Sequence, residues 1–140
     1  LGAPAGSILC FPEDMEHKVR RQRKILGGAL RQVGVLGAAC LYAIKNNIKR
    51  LKDDHERASF LAKELNPYHN KNNDQNLQNH TNMVFFEPIE KKGADLYSFL
   101  KNKGIIISKP CPETRLVMHL NITDEILNNF IKSVKEFYDD

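Results

Sequence analysis

Apolar positions in the first half of the chain recur every three to four residues. The run "PEDMEHKVRRQRKIL" opens with Pro at a first helical position and acids close behind, which suits the positive end of a helix. Met15, Val19, Gln22 and Leu26 fall on one mostly apolar face, and Gly27-Gly28 ends the pattern. The run "RQVGVLGAACLYAI" (31–44) predicts a second helix rich in small residues. Gly34 and Gly37 cost helix propensity on a free surface, and with Ala38 and Ala39 they point to a buried helix packed closely on something large. "KNN" breaks or bends the chain. In "IKRLKDDHERASFLAKEL", Ile48, Leu51, Ala58, Leu61 and Leu65 mark an amphipathic third helix.

The second half mixes periods. "GSILCF", near the start of the chain, reads as a short buried strand, and "TNMVFFEP", "IIIS" and "TRLVMHL" read as three more. "GADLYSFLKNKG" predicts a short helix stopped by Gly104. "TDEILNNFIKSVKEFYDD" predicts a final helix with Thr123 as N-cap and a stripe of Ile126, Leu127, Phe130, Val134 and Phe137. Between them, "NPYHNKNNDQNLQNH" (66–80) is Asn-rich with almost nothing to bury, and predicts an exposed, mobile loop. Helices first, then strand-helix-strand-strand-helix, is an α+β order: helices packed on a small, mostly antiparallel sheet. No internal repeat is visible.

Composition narrows this only modestly. The 140 residues suffice for one modest core, and 41% apolar with 27% charged residues is ordinary for a globular protein. The net charge of +4 establishes no polyanionic partner. Three widely spaced cysteines, Cys10, Cys40 and Cys111, fit neither a disulfide scaffold nor a zinc site. Cys10 and Cys40 read as small core fillers, and a reducing compartment is the simplest inference. No apolar run approaches the ~20 residues of a membrane span.

Few residues suggest chemistry. The basic run "HKVRRQRK" (17–24) can be a solvated helix face, a nucleic-acid surface without the usual aromatics, or a source of cations for an anionic cofactor or substrate. "LGGAL" is explained by one helix C-cap. Arg31, at the start of the small-residue helix, adds its charge to a helix N-terminus, a place suited to phosphate or carboxylate. Arg115 begins an apolar strand, where a cation needs an anion, either a substrate or an internal Asp or Glu. His119, four residues on, alternates onto the same face; the pattern favours a hydrogen-bonded structural histidine over a catalytic one.

Taken together, "LGAPAGSIL", "RRQRKILGGALRQVGVLGAACLYAI", Asp54-His55, "TNMVFF" and "RLVMHL" resemble, in order and at compatible spacing, the C-terminal portion of low-specificity L-threonine aldolases. These are pyridoxal-5'-phosphate enzymes of the aspartate-aminotransferase-like fold type I. The family's third glycine and following methionine are Ala29 and Leu30 here, and the Asn-rich loop is not covered.

The resemblance implies a fragment in which 1–45 closes the large cofactor-binding domain and 46–140 forms the small C-terminal domain, with the loop at 66–80. The lysine that holds the cofactor as a Schiff base is expected two residues before Leu1, so the chain alone is expected to be inactive. The implied reaction cleaves L-threonine or L-allo-threonine to glycine and acetaldehyde. Arg115 corresponds to the arginine that grips the substrate carboxylate. Arg31 corresponds to one approaching the cofactor phosphate from a neighbouring subunit, and Lys24 to a substrate-binding lysine near the same mouth. A cytoplasmic homo-oligomer, dimer or tetramer, with no nucleic-acid or membrane partner is implied. Another lyase of the same fold, β-eliminating, and a basic helical module binding an acidic partner are the alternatives.

Overall fold

The computed structural model describes residues 1–70 and 76–139. Two compact units divide the chain, Leu1–Ile48 and Lys49–Asp140.

In the first unit a single 3₁₀ turn, Glu13–Met15, leads into helix α1, Glu16–Ile25. The cap follows from the two glycines. Gly27 takes φ 78°, its N–H reaches the Lys24 carbonyl at 3.1 Å, and the Gly28 N–H reaches the Arg23 carbonyl at 2.8 Å. That pair of bonds is a Schellman closure. A Cβ at Gly28 would stand 2.9 Å from Arg23 Cγ and 3.2 Å from the Arg23 carbonyl oxygen, so glycine is required there for space as well. Helix α2 runs Gly34–Asn47, three residues later at its start than the apolar pattern predicted. Its "KNN" is helical, and the Asn47 Nδ2 donates to the Leu1 carbonyl at 2.5 Å.

Two expectations fail in this unit. "GSILCF" forms no strand, and Ile8 and Leu9 are exposed, because no strand among the described residues of the unit is there to pair with them. Cys10 is consequently exposed and Cys40 half-buried, so Cys10 is no core filler; all three cysteines are free. Helix α2 buries only Ala43, while Val35, Leu41 and Tyr42 are exposed and nothing lies within 4 Å of a Cβ built at Gly34 or Gly37. The apolar face of α1 is likewise uncovered, with Leu26 exposed.

The second unit holds helix α3 (Leu51–Leu65), strands β1 (Asn79–His80) and β2 (Met83–Phe86), helix α4 (Gly93–Asn102), strand β3 (Thr114–Val117) and helix α5 (Asp124–Asp139). The antiparallel sheet has the order β1-β2-β3, with Phe85 opposite Arg115 and Val84 opposite Leu116. Strand alternation sends Val84, Phe86, Thr114 and Leu116 inward. Against them pack Ala58, Leu61 and Leu65 of α3, Leu96 and Leu100 of α4, and Leu127, Phe130, Ile131 and Val134 of α5. The α5 set, at i, i+3, i+4 and i+7, is one helical face. Thr123 caps this helix as expected, its Oγ1 accepting the Ile126 N–H at 3.3 Å.

Helix α4 ends in a second Schellman closure: Gly104 is at φ 77°, its N–H bonds the Lys101 carbonyl at 3.0 Å, and the Ile105 N–H bonds the Leu100 carbonyl at 2.9 Å. The following "IIIS" is irregular rather than a strand, with Ile106 83% exposed. It misses the sheet because the closure consumes the Ile105 N–H and β3 offers it no ladder among the described residues.

The Asn-rich segment is anchored where it is described. Leu77 is buried in the core, its N–H bonded to Asn66 Oδ1 at 2.9 Å, and Asn70 Nδ2 donates to Glu87 Oε1 at 2.8 Å. The expectation of nothing to bury fails at Leu77; residues 71–75, where the mobile loop was expected to centre, lie outside the described residues.

Candidate active-site cleft

The free edge of β3 and the irregular Ile105–Ser108 segment border a cleft of about 530 Å³. Its apolar walls include Ile107, Ile122 and Ile126, and Arg115 and His119 supply its basic groups. Local bonds hold both walls. Thr114, buried, donates its Oγ1–H to the Ser108 carbonyl at 2.8 Å, tying the irregular segment to β3. The turn between β1 and β2 grips the end of β3: Met118 N–H bonds the Asn82 carbonyl at 2.8 Å, and Asn82 Nδ2 returns to the Met118 carbonyl at 2.7 Å.

Arg115 sits on the outward face of β3, since its neighbours Thr114 and Leu116 take the inward positions. It is exposed, and no carboxylate pairs with it among the described residues. The internal salt bridge that was the alternative for this arginine is not formed there. His119 follows the clamped Met118. Its Nδ1 accepts the Asn121 N–H at 3.2 Å and its carbonyl accepts the Ile122 N–H at 2.8 Å. Both residues line the cleft, in keeping with the expected alternation onto one face; the expected structural histidine is hydrogen-bonded at Nδ1, and its ring is exposed.

Lys24 and Arg31 belong to the first unit. Lys24 is in the last turn of α1, exposed. Arg31 lies in the turn before α2 rather than in the helix, next to Gln32 at φ 53°. Neither pairs with a carboxylate among the described residues; in the basic run only Arg20 does, with Glu16 at 2.6 Å.

Sequence reasoning passed over two features. One is the Asn82 clamp, for which an Asn in a two-residue turn before an apolar strand is the available signal. The other is the Arg50–Asp54 pair: Asp54, named above only for the resemblance, is buried in the first turn of α3 and held by both Nη atoms of Arg50. Its signal is the Arg-to-Asp spacing of four on a helix. Among the described residues no cluster of His, Cys, Asp and Glu could hold a metal ion, and no helix is long and apolar enough to cross a membrane.

A family model described as beta-eliminating lyase matches residues 1–88. The low specificity L-threonine aldolase of Escherichia coli strain K12 is 37% identical over 127 residues, covering 91% of this chain and 37% of that protein. The low-specificity L-threonine aldolase 1 of Arabidopsis thaliana is 35% identical over 128 residues, covering 88% of this chain and 35% of that protein. A probable low-specificity L-threonine aldolase of Schizosaccharomyces pombe is 36% identical over 139 residues, with 97% and 35% covered. The chain thus spans 35–37% of the length of these relatives. With the family model matching well over half of its residues, including α1, α2, α3 and Asn82, the chain belongs to the beta-eliminating lyase family.

Proposed function

We propose that this chain supplies the substrate-carboxylate grip of a pyridoxal-5'-phosphate-dependent aldolase that cleaves L-threonine or L-allo-threonine to glycine and acetaldehyde. The observation that carries the reading is Arg115, an unpaired guanidinium among the described residues, set in a cleft with apolar walls. A guanidinium fork can donate two parallel bonds to a carboxylate and so fix the orientation of the α-carbon as well as its position. The apolar walls beside it leave room for the β-substituent.

The chemistry of the available donors fits the phosphate end of the cofactor. Arg31, an exposed cation without a carboxylate partner among the described residues, would hold that end toward a neighbouring subunit's site, and Lys24, exposed and without a carboxylate partner there too, would serve the substrate near the same mouth. Pyridoxal phosphate, when bound, supplies the electron sink for breaking the Cα–Cβ bond. The work of Arg115 is to orient that bond before it breaks. A homo-oligomer, dimer or tetramer, in the cytoplasm completes the proposal, with 1–45 ending a larger cofactor-binding domain and 46–140 forming the small domain.

The family description favours one second reading, β-elimination. Product analysis separates the two. The chain is joined to the region of the Escherichia coli relative that it does not match, and supplied with pyridoxal phosphate and L-threonine. Aldol cleavage gives equal amounts of glycine and acetaldehyde; elimination gives 2-oxobutyrate and ammonia. The second pair as the main products would overturn the proposal. The chain alone is expected to release no acetaldehyde.

A further inference from the structure

We propose that Phe85 is a positioning residue for the cleft: its ring stands between the Arg115 guanidinium and the carboxylate of Glu113, and so keeps the arginine open to a ligand's carboxylate. The inference rests on the proposed role of Arg115. It adds what stops that group from closing on an acid of its own chain.

Arg115 has such an acid close at hand. Glu113 lies two residues back, about 7 Å along an extended chain, within reach of an Arg–Glu ion pair. Glu113 is exposed, and it too has no ion-pair partner among the described residues. Yet the two side chains line different recesses. Glu113 lines a hollow of about 270 Å³ together with Phe85, Glu87 and His80. Arg115 lines the larger cleft at the free edge of β3 and is not part of that hollow.

Phe85 lies at the boundary of the two. It pairs with Arg115 in the β2–β3 register, which sets their Cβ atoms about 4.5–5.5 Å apart. Both point outward, because Val84, Phe86, Thr114 and Leu116 take the inward positions. The Phe85 ring is half-buried and is met edge-on by His80, with centroids 6.0 Å apart and an interplanar angle of 67°. Such a ring gives the arginine stem apolar surface to lie along. Its electron-rich face gives a carboxylate nothing. Glu87, the other acid of the hollow, already accepts a bond from Asn70 Nδ2 at 2.8 Å. Glu113 is therefore the acid that Arg115 would meet if the ring were gone.

The test uses the 140-residue chain, with the Arg115 Nε–H resonance as readout and glycine as the ligand. Phe85→Ala should move that resonance in the ligand-free chain, as the guanidinium turns to Glu113. It should also weaken glycine binding about two- to fivefold, the strength of an exposed ion pair. Adding Glu113→Gln should return both the resonance and the glycine affinity to the parent values. A ring needed only for packing would give no such rescue. Phe85→Leu, which keeps most of the bulk, should stay near the parent, and Phe85→Val takes the place of Phe85→Ala if the latter does not fold. Glu113→Gln alone should leave the resonance where it is, since the ring already holds the acid off.

The inference is overturned if Phe85→Ala changes neither reading, if its loss persists in Phe85→Ala/Glu113→Gln, or if Glu113→Gln alone shifts the Arg115 resonance. Arg115→Gln should abolish glycine binding. If it does not, the carboxylate reading of Arg115 fails, while the ligand-free resonances still decide whether Phe85 separates it from Glu113.

Discussion

Replacing Asp54 by Ala removes the acceptor from a pair that α3 buries in its first turn. Asp54 is 2% exposed and the Arg50 side chain 19%. Truncating one partner of a fully buried pair costs about 3–5 kcal/mol, because the other charge is left without a counter-ion. Arg50 is not fully buried, and its guanidinium can turn partly toward water, so the cost falls to or just below the bottom of that range, about 2–3 kcal/mol. A negative charge in the first turn also offsets the helix dipole, worth about 0.3–1 kcal/mol. Together these give about 3 kcal/mol, a fall in Tm of about 10 °C or more for a unit of this size. Urea denaturation followed by circular dichroism reads the loss, with thermal scans as a second probe. The double variant Arg50→Met, Asp54→Leu should recover most of it, since no charge is then stranded. Equal stability of Asp54→Ala and the parent, within about 0.5 kcal/mol, would refute the reasoning. So would a double variant no better than the single one.

Two further predictions concern α5. Thr123→Ala removes the Oγ1 that accepts the Ile126 N–H and should cost about 1 kcal/mol, read in the same denaturation assay, with Thr123→Ser near the parent. Tyr138 has a buried hydroxyl without a partner among the described residues, and burial pushes its pKa up to about 12 from 10.0. The folded state therefore holds this proton more tightly than the unfolded chain. Its contribution is fully present below pH 10 and declines as pH rises toward about 12. Tyr138→Phe should flatten that alkaline decline, and an unchanged slope would count against the burial argument.

What the sequence made legible was set by whether the partner of each pattern lies in the chain. The α5 stripe and the α3 stripe were readable because β2 and α4 are present to receive them. The glycine closures of α1 and α4 were readable because they are local, made within six residues. "GSILCF" and "IIIS" have strand composition, but composition does not say whether a neighbouring edge will accept them, and here none does. The small-residue run of α2 was read as a face for something large, and among the described residues Gly34, Gly37 and Leu41 stay uncovered. Leu77 shows the opposite error: one leucine in a polar stretch was enough to anchor its end. At the site, alternation placed Arg115 and His119 together. The cleft itself was not legible, because one of its walls is an irregular segment tied across by Thr114.

The claim that Arg115 holds a carboxylate is tested most directly by titrating glycine into the chain and into its Arg115→Lys variant, with the guanidinium resonance and chemical-shift changes as readout. Lysine keeps the charge and loses the two-pronged geometry. Charge-assisted bonds of this kind are worth about 1.5–3 kcal/mol, so glycine binding should weaken about ten- to a hundredfold, while the midpoint of unfolding stays near that of the parent. Unchanged glycine affinity together with a lowered unfolding midpoint would make Arg115 a structural residue and contradict the account.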